Sequence, residues 1–297
     1  MHILSSHLFR TGFYCISVTL LLSVCLTANL FGNSFLHWFL DYSQFLIVGL
    51  IAATIANSTG AGGGIVFLPA FTLLGLTAQE ALATSFAIQC FGMTSGALAW
   101  LSFYHKDSQL TSHNWVGFFE ILIVSACASV TGILVTQYYF PPAALNMHLL
   151  FSWFSLVVGL MILLSAFFTA KKNDFRLTVL SGLEYLLLVI VCFIGGAVTA
   201  WLSIGVGEIL AIFLIFLGYR TQQAIAIAVC VSSVTVIAAI PYYINQQTIE
   251  LSVLMFAAPA ALIGGALARR LAVKLGAYRL KVFMACWIII SAIVYMM

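Results

Sequence analysis

Apolar positions in this chain neither alternate nor mark a single helical face. They run on continuously, and charges interrupt them. Between the interruptions lie eleven apolar segments, near 13–33, 44–60, 62–76, 80–103, 116–138, 147–170, 183–202, 205–219, 222–245, 251–268 and 280–297. A bilayer core of about 30 Å takes about 20 apolar residues as helix. The runs lack the two-residue alternation of a membrane barrel. The pattern therefore predicts an all-α polytopic membrane protein, and its short connections leave no room for a separate soluble domain.

Composition supports this. Of 297 residues, 63% are apolar and only 6% charged, against about a quarter charged in soluble domains. A soluble enzyme and a disordered scaffold are excluded. The balance of 11 Lys+Arg against 8 Asp+Glu holds no polybasic tract, so no nucleic-acid partner is expected. Cysteines at 15, 25, 90, 127, 192, 230 and 286 sit mostly inside apolar runs, with no CxxC pair; neither a disulfide framework nor a zinc site follows. Histidines at 2, 7, 37, 105, 113 and 148 lie near segment ends or in loops. No metal site and no cofactor is expected.

Basic residues set an orientation. With Arg10 in the cytoplasm and all eleven segments crossing, Lys106, Lys171, Lys172, Arg176, Arg220, Arg269, Arg270, Lys274, Arg279 and Lys281 fall on the same side as Arg10, as the positive-inside rule asks. The expectation is a multi-pass protein of the cell (inner) membrane, N-terminus cytoplasmic and C-terminus opposite. If 44–60 with 62–76, and 183–202 with 205–219, were re-entrant hairpins, this parity would not change. The run after Arg10 has no small-x-small cleavage site near Ala28, so 13–33 reads as a retained helix. Trp38, Trp115, Trp153, Tyr138 and Tyr139 fall at predicted boundaries and read as an interfacial belt.

The chain also repeats itself. Sliding it until Gly62 meets Gly205 brings Gly64 onto Gly207, Leu74-Gly75 onto Leu217-Gly218, Gln79 onto Gln222, and Ala81 and Ala83 onto Ala224 and Ala226. Residues 1–43 then form an N-terminal helix with its linker, 44–170 a first repeat and 171–297 a second, all within one membrane domain. Each repeat has five segments, an odd number, so the two run through the membrane with opposite polarity. Inverted-topology repeats are an architecture of secondary transporters, whose substrate sites lie at glycine-broken segments in matching places.

Here those places are Gly60-Ala61-Gly62-Gly63-Gly64 and Ser203-Ile204-Gly205-Val206-Gly207. Glycines cost a helix about 1 kcal/mol each, and broken backbone survives in a membrane only inside protein or beside water. What it offers is free N–H groups at the start of the next helix, which suit an anion. No basic residue lies mid-membrane. The expected ligands are therefore the amides of Gly60, Gly62, Gly63, Gly64, Gly205 and Gly207 with the hydroxyls of Ser58, Thr59, Thr84, Ser85, Ser203, Ser232 and Ser233; Thr199, Gln89 and Thr235 lie nearby. The alternative use of small residues is close helix packing.

Glu208, in the first turn after the second break, stands opposite Ile65 of the first repeat. It is either a proton-coupling carboxylate or a residue favoured by the helix N-terminal dipole. Glu80 closes Thr77-Ala78-Gln79-Glu80, the spacing of a capping box. Asn57-Ser58-Thr59 matches a glycosylation sequon, but in a membrane context modification is not expected.

Gly60-Ala61-Gly62-Gly63-Gly64, then Pro69, Gly75, Glu80-Ala81 and Thr84-Ser85, resembles the signature of the TauE/SafE-type sulfite exporter family. Gly205-Val206-Gly207-Glu208, Gly218 and Gln223-Ala224 are similar to that family's second copy. The resemblance runs from about residue 44 to the C-terminus. It implies a permease for sulfite or related organosulfur anions, working with the proton gradient. Ile212 in place of a second Pro69 and Ser203 in place of a second Gly60 depart from strict symmetry.

A membrane enzyme would need a catalytic constellation, and none occurs at a fitting spacing. An anion channel could use the same broken segments; saturation and ion coupling separate it from a transporter. The partners expected are a small anionic substrate and the lipid bilayer.

Overall fold

The computed structural model describes residues 39–110, 115–140, 147–169 and 176–296. The predicted helix 13–33, Trp38, Lys171, Lys172 and the histidines at 2, 7, 37 and 113 lie outside the described residues. Among the described residues ten helices follow one another: α1 Gln44–Thr59, α2 Gly64–Leu73, α3 Ala78–Leu110, α4 Phe118–Tyr139, α5 Met147–Thr169, α6 Gly182–Leu202, α7 Val206–Phe216, α8 Thr221–Gln246, α9 Leu251–Leu275 and α10 Ala277–Met296. The described residues form no strand. Six of these described helices are long and apolar enough to cross a membrane: α1 counted from Phe39, α3, α4, α6, α8 and α9.

The surface is that of a molecule solvated by hydrocarbon. Ile47, Leu98, Ile123, Leu186 and Ile237 are exposed, while Asn57, Ser85, Gln89, Ser203 and Glu208 are buried. Such an inside-out distribution is stable only where lipid takes the place of water around the helices.

Contacts at the helix ends define two faces. At the first, Arg220 pairs with Asp107 at 3.1 Å, the Gln223 side chain donates to Val116 O at 2.8 Å, and Arg176 N donates to Gly218 O at 2.8 Å. At the second, Glu250 N donates to Thr84 Oγ1 at 2.9 Å, Trp201 Nε1 to Phe140 O at 2.9 Å, and the rings of Phe39 and Tyr42 lie against Phe256.

These faces decide what the two short segments do. α1 starts at the second face, where Phe45 meets Phe71 near the end of α2 at 5.7 Å. α6 starts at the first face, where Gly218, just past α7, meets Arg176. α2 has 10 residues and α7 has 11; at 1.5 Å per residue each rises about 15–17 Å, half of a bilayer core. Each therefore returns the chain to the face from which the preceding helix entered. Of the two readings open for 62–76 and 205–219, the contacts favour hairpins: the end of α2 lies back on the start of α1, and the residue after α7 lies back on the segment before α6. A hydrophobic run carries no sign of direction, which is why apolarity alone does not distinguish the two cases.

Charge punctuation also ended one helix early. α9 runs to Leu275, about two turns past the end of the apolar run at 268, and so takes in Arg269, Arg270 and Lys274. The Arg269 guanidinium lies 5.6 Å over the Phe103 ring, an apolar stem with a charged tip reaching the interface. Trp115 is another correction: it is buried rather than a lipid-facing belt residue, its indole donating to Asp107 Oδ2 at 2.9 Å. Tyr138, Tyr139 and Trp153 are exposed as expected. The Thr77–Glu80 capping box is present, with Thr77 N donating to Glu80 Oε2 at 2.9 Å and Glu80 N to Thr77 Oγ1 at 3.3 Å.

α1 packs on α9 and α3 on α8, and α9 also covers α3; on the other side α6 packs on α4, which also covers α8. The α1–α9 contact is a backbone-to-backbone approach, since a Cβ on Gly264 would stand 2.5 Å from Leu50 O and 3.0 Å from Thr54 Oγ1. Gly264→Val is expected to destabilise the fold by about 1–3 kcal/mol, the usual cost of overpacking, read as a lowered midpoint of thermal unfolding in detergent. Gly182→Val, at a position with nothing within 4 Å of its Cβ, is the control and leaves the midpoint within about 0.5 kcal/mol.

Candidate functional site

The hairpin tips form because the sequence ends both long helices in the same way. Near the end of α1, side chains bond back to their own helix: Asn57 Nδ2 to Ala53 O at 2.8 Å, Ser58 Oγ to Ile55 O at 2.9 Å and Thr59 Oγ1 to Ile55 O at 2.8 Å. Such back-bonding lets polar residues sit inside a buried helix. Gly60 then turns left-handed at φ 84, its N–H closing on Ala56 O. In α6, Thr199 bonds back to Gly195 O at 2.7 Å and Ser203 turns left-handed at φ 57. Gly60 and Ser203 are the positions the internal repeat superposes. A non-glycine residue there costs about 1–2 kcal/mol, so the serine has to be held.

What holds it comes from α3. Gln89 Nε2 donates to Ser203 Oγ at 2.6 Å, and Ser85 Oγ stands 2.9 Å from the same hydroxyl. The other end of the Gln89 amide accepts from Gly63 N at 2.9 Å. One side chain thus ties the first tip to the second.

The remaining tip amides are also engaged. Gly62 N donates to Glu208 Oε1 at 2.7 Å and Gly205 N to Glu208 Oε2 at 2.8 Å, while Val206 N donates to Thr199 Oγ1 at 2.9 Å and Ala61 N to Thr59 Oγ1 at 3.3 Å. Glu208 is 0% exposed. Its two oxygens lie between the hairpins, one on each. An ionised carboxylate so deep is stabilised only by good donors, and the donors here are peptide N–H groups together with the positive end of α7. The sequence position suggested either coupling or capping; the geometry gives Glu208 a bond back to Gly205 and one across to the other hairpin.

Glycine is required where the hairpins touch. A Cβ on Gly64 would lie 2.6 Å from Ser203 O, and one on Gly207 would strike Gly60 O and lie 2.6 Å from Ser232 Oγ. The two contacts correspond under the repeat, Gly64 on Ser203 and Gly207 on Gly60.

The structure brings Thr59, Gly60, Gly62, Gly63, Gly64, Ser85, Ser203, Gly205, Gly207, Glu208 and Ser232 together at this junction. Ser58 is buried beside it and bonded to its own helix. Thr84 points instead toward the second face, accepting from Glu250 N, and Ser233 pairs with Thr94 between α3 and α8 at 3.2 Å. Asn57 was read only as part of a sequon, and its place here was missed. It lies beside the tips with Gly63, Phe67, Gln89 and Met93, and its Oδ1 is buried with no hydrogen-bond partner. The available signal was a polar triplet leading directly into the glycine run.

Among the described residues, six helices long and apolar enough to cross a membrane surround two short helices whose N-terminal ends meet inside the bundle, the build of a multi-pass membrane protein. The sulfite exporter TauE/SafE family matches the chain over residues 45–295, nearly all of it, and the protein belongs to that family. Comparison with curated proteins and with solved structures returns no match.

Gln89→Leu removes the acceptor of Gly63 N and a donor to Ser203. Unpaired buried groups cost about 1–3 kcal/mol each, so a loss of about 2–4 kcal/mol in unfolding free energy is expected. Gln89→Glu, which keeps the acceptor, should retain more than half of that; the measurement is denaturation in detergent monitored by tryptophan fluorescence.

Proposed function

We propose that the protein is a secondary transporter of sulfite or a related small organosulfur anion, coupled to protons, with the anion held between the two hairpin tips. The observation that carries this reading is the meeting of two helix N-termini from opposite faces at one buried, basic-residue-free junction. Helix N-termini receive anions through aligned dipoles and free N–H groups, and the family supplies the sulfur chemistry. Gly60, Gly62, Gly63, Gly64, Gly205 and Gly207 shape the seat, and Thr59, Ser85, Ser203 and Ser232 supply hydroxyls. Ser58, Thr84 and Ser233 stand behind it. Glu208 is the proton-coupling group.

Residues 44–170 and 171–297 act as two inverted repeats, with 1–43 as an added N-terminal helix. Helix contacts support this pairing. α1 on α9 corresponds to α6 on α4, α3 on α9 to α8 on α4, and α2 on α10 to α7 on α5, while α3–α8 and α5–α10 pair across the halves. A molecule made of two such halves has two packings of similar energy, one open to each side, as alternating access requires. The first face is cytoplasmic. Arg176, Arg220 and the α9 end with Arg269, Arg270 and Lys274 gather there, whereas Asp41, Glu80 and Glu250 lie in or beside segments ending at the second, as the positive-inside rule asks.

The test is flux of radiolabelled sulfite into proteoliposomes, with and without an imposed pH gradient. The expected result is saturable flux that follows the gradient. Gly64→Ala and Gly207→Ala, which wedge the tips apart, should each lower it roughly tenfold or more, the effect of about 1.4 kcal/mol on a barrier, while Gly182→Ala stays within about twofold. Non-saturating ohmic current would show a channel instead, and no sulfite flux from folded protein would remove the substrate.

A further inference from the structure

We infer that the Glu208 carboxylate occupies the anion seat itself, so that the side chain and the transported anion exclude one another. This rests on the anion reading above and goes a step further, from where the anion binds to what must leave first. One peptide donor from each tip is filled by this one group: Oε1 on Gly62 N of the other hairpin at 2.7 Å and Oε2 on Gly205 N of its own at 2.8 Å. A carboxylate presents two oxygens to two N–H groups much as an oxoanion does. A second observation marks the place as a ligand seat. Ser232 Oγ is buried at 3% exposure, has no hydrogen-bond partner and faces Gly207 in the first turn of α7. A buried hydroxyl without a partner calls for one, and an anion lodged at the tips provides an acceptor for it.

Among the described residues no other charged group bonds to Glu208. In α3, which carries Gln89 and Ser85, Glu80 is bonded to Thr77, Cys90 Sγ lies on Val236 O at 3.6 Å, and Tyr104, His105, Lys106 and Asp107 sit toward the first face. α1 and α2 carry no titratable side chain, nor does the 149–164 stretch of α5 that packs near α7. In α6, Glu184 is held by Arg176 and Tyr185 donates to Glu120 at 2.9 Å, both at the first face; Cys192 is the remaining group. In α8, Cys230 Sγ lies on Ala97 O at 3.9 Å and Tyr243 OH on Ala200 O at 3.2 Å, with Tyr242 stacked edge-on to Tyr243. None of these bonds to Glu208.

Exchange then has a fixed chemistry. Hydronium gives a proton to the carboxylate, leaving water; the neutral acid releases Gly62 N and Gly205 N, and the incoming anion takes them. On departure the anion gives the two donors back, and the proton leaves the carboxyl for water. The seat holds one negative charge in either state, so a monovalent anion and one proton move together in the same direction, one for one.

The test uses the full-length protein in detergent with sulfite and with methanesulfonate, which stays a monoanion across the pH range. Anion binding is followed by calorimetry, proton uptake by an indicator dye in weak buffer with methanesulfonate, and the carboxylic-acid C=O stretch by infrared difference spectroscopy with either anion. The wild type is expected to bind more weakly as pH rises, to take up about one proton per anion and to show the acid band. Glu208→Gln should lose the band and the pH dependence for methanesulfonate and bind roughly tenfold tighter in alkali, because the competing form is gone. Ser232→Ala should weaken anion binding several-fold and leave proton uptake unchanged, giving a second test should the glutamine variant not fold. Anion binding to the wild type with no proton uptake and no acid band overturns the inference while leaving the transporter reading in place. No binding of either anion to the wild type or to Glu208→Gln overturns the reading and the inference together.

Discussion

A peptide N–H inside a bilayer has no water to bond, and two hairpins whose tips meet inside the bundle carry such groups there. Everything at the centre of this protein follows from that constraint. Amides of Ala61, Gly62, Gly63, Gly205 and Val206 each have a protein acceptor. Three of the acceptors, on Thr59, Thr199 and the second oxygen of Glu208, come from the same hairpin as the amide. The other two, Gln89 and the first oxygen of Glu208, come from elsewhere and fix where the tips lie relative to one another. The long helices around them act as a scaffold that presents the tips at a common depth.

Close packing and hydrogen bonding are coupled here. Gly64 and Gly207 let each tip rest on the backbone of the other hairpin, and only at that separation does the Glu208 side chain reach Gly62. Glycines three residues past the end of each long helix thus set the chemistry, and glycines five past it set the spacing. Ser203 shows the balance at one residue. Its left-handed backbone is unfavourable, and the hydroxyl that a glycine lacks is what Gln89 and Ser85 engage.

Much of this was legible in the sequence. Continuous apolar runs gave the helical bundle, and the matching of Gly62 with Gly205 pointed to the junction before any coordinates. Glu208 stood out as a carboxylate in an apolar stretch. The directions of 62–76 and 205–219 were not legible, because a hydrophobic run looks the same whether it continues across the bilayer or turns back. Nor were the partners of Gln89 and Asn57, which depend on contacts between residues far apart in the chain. Trp115 was misplaced for a related reason: a tryptophan at a segment boundary can face lipid or cover a neighbouring helix end, and Asp107 decides it here.

The bond from Gly62 to Glu208 spans 146 residues, and this has a consequence for how the molecule is made. A ribosome adds about 5–20 residues per second, so the first hairpin exists for about seven to thirty seconds before its acceptor is synthesised. During that interval its tip cannot rest in bare lipid with an unmet amide. It must wait in the aqueous or headgroup zone, or against the insertion machinery, and slide into place when the second half arrives. The N-terminal half is therefore a nascent intermediate that needs shelter, and the last step of biogenesis is the docking of one hairpin onto the other.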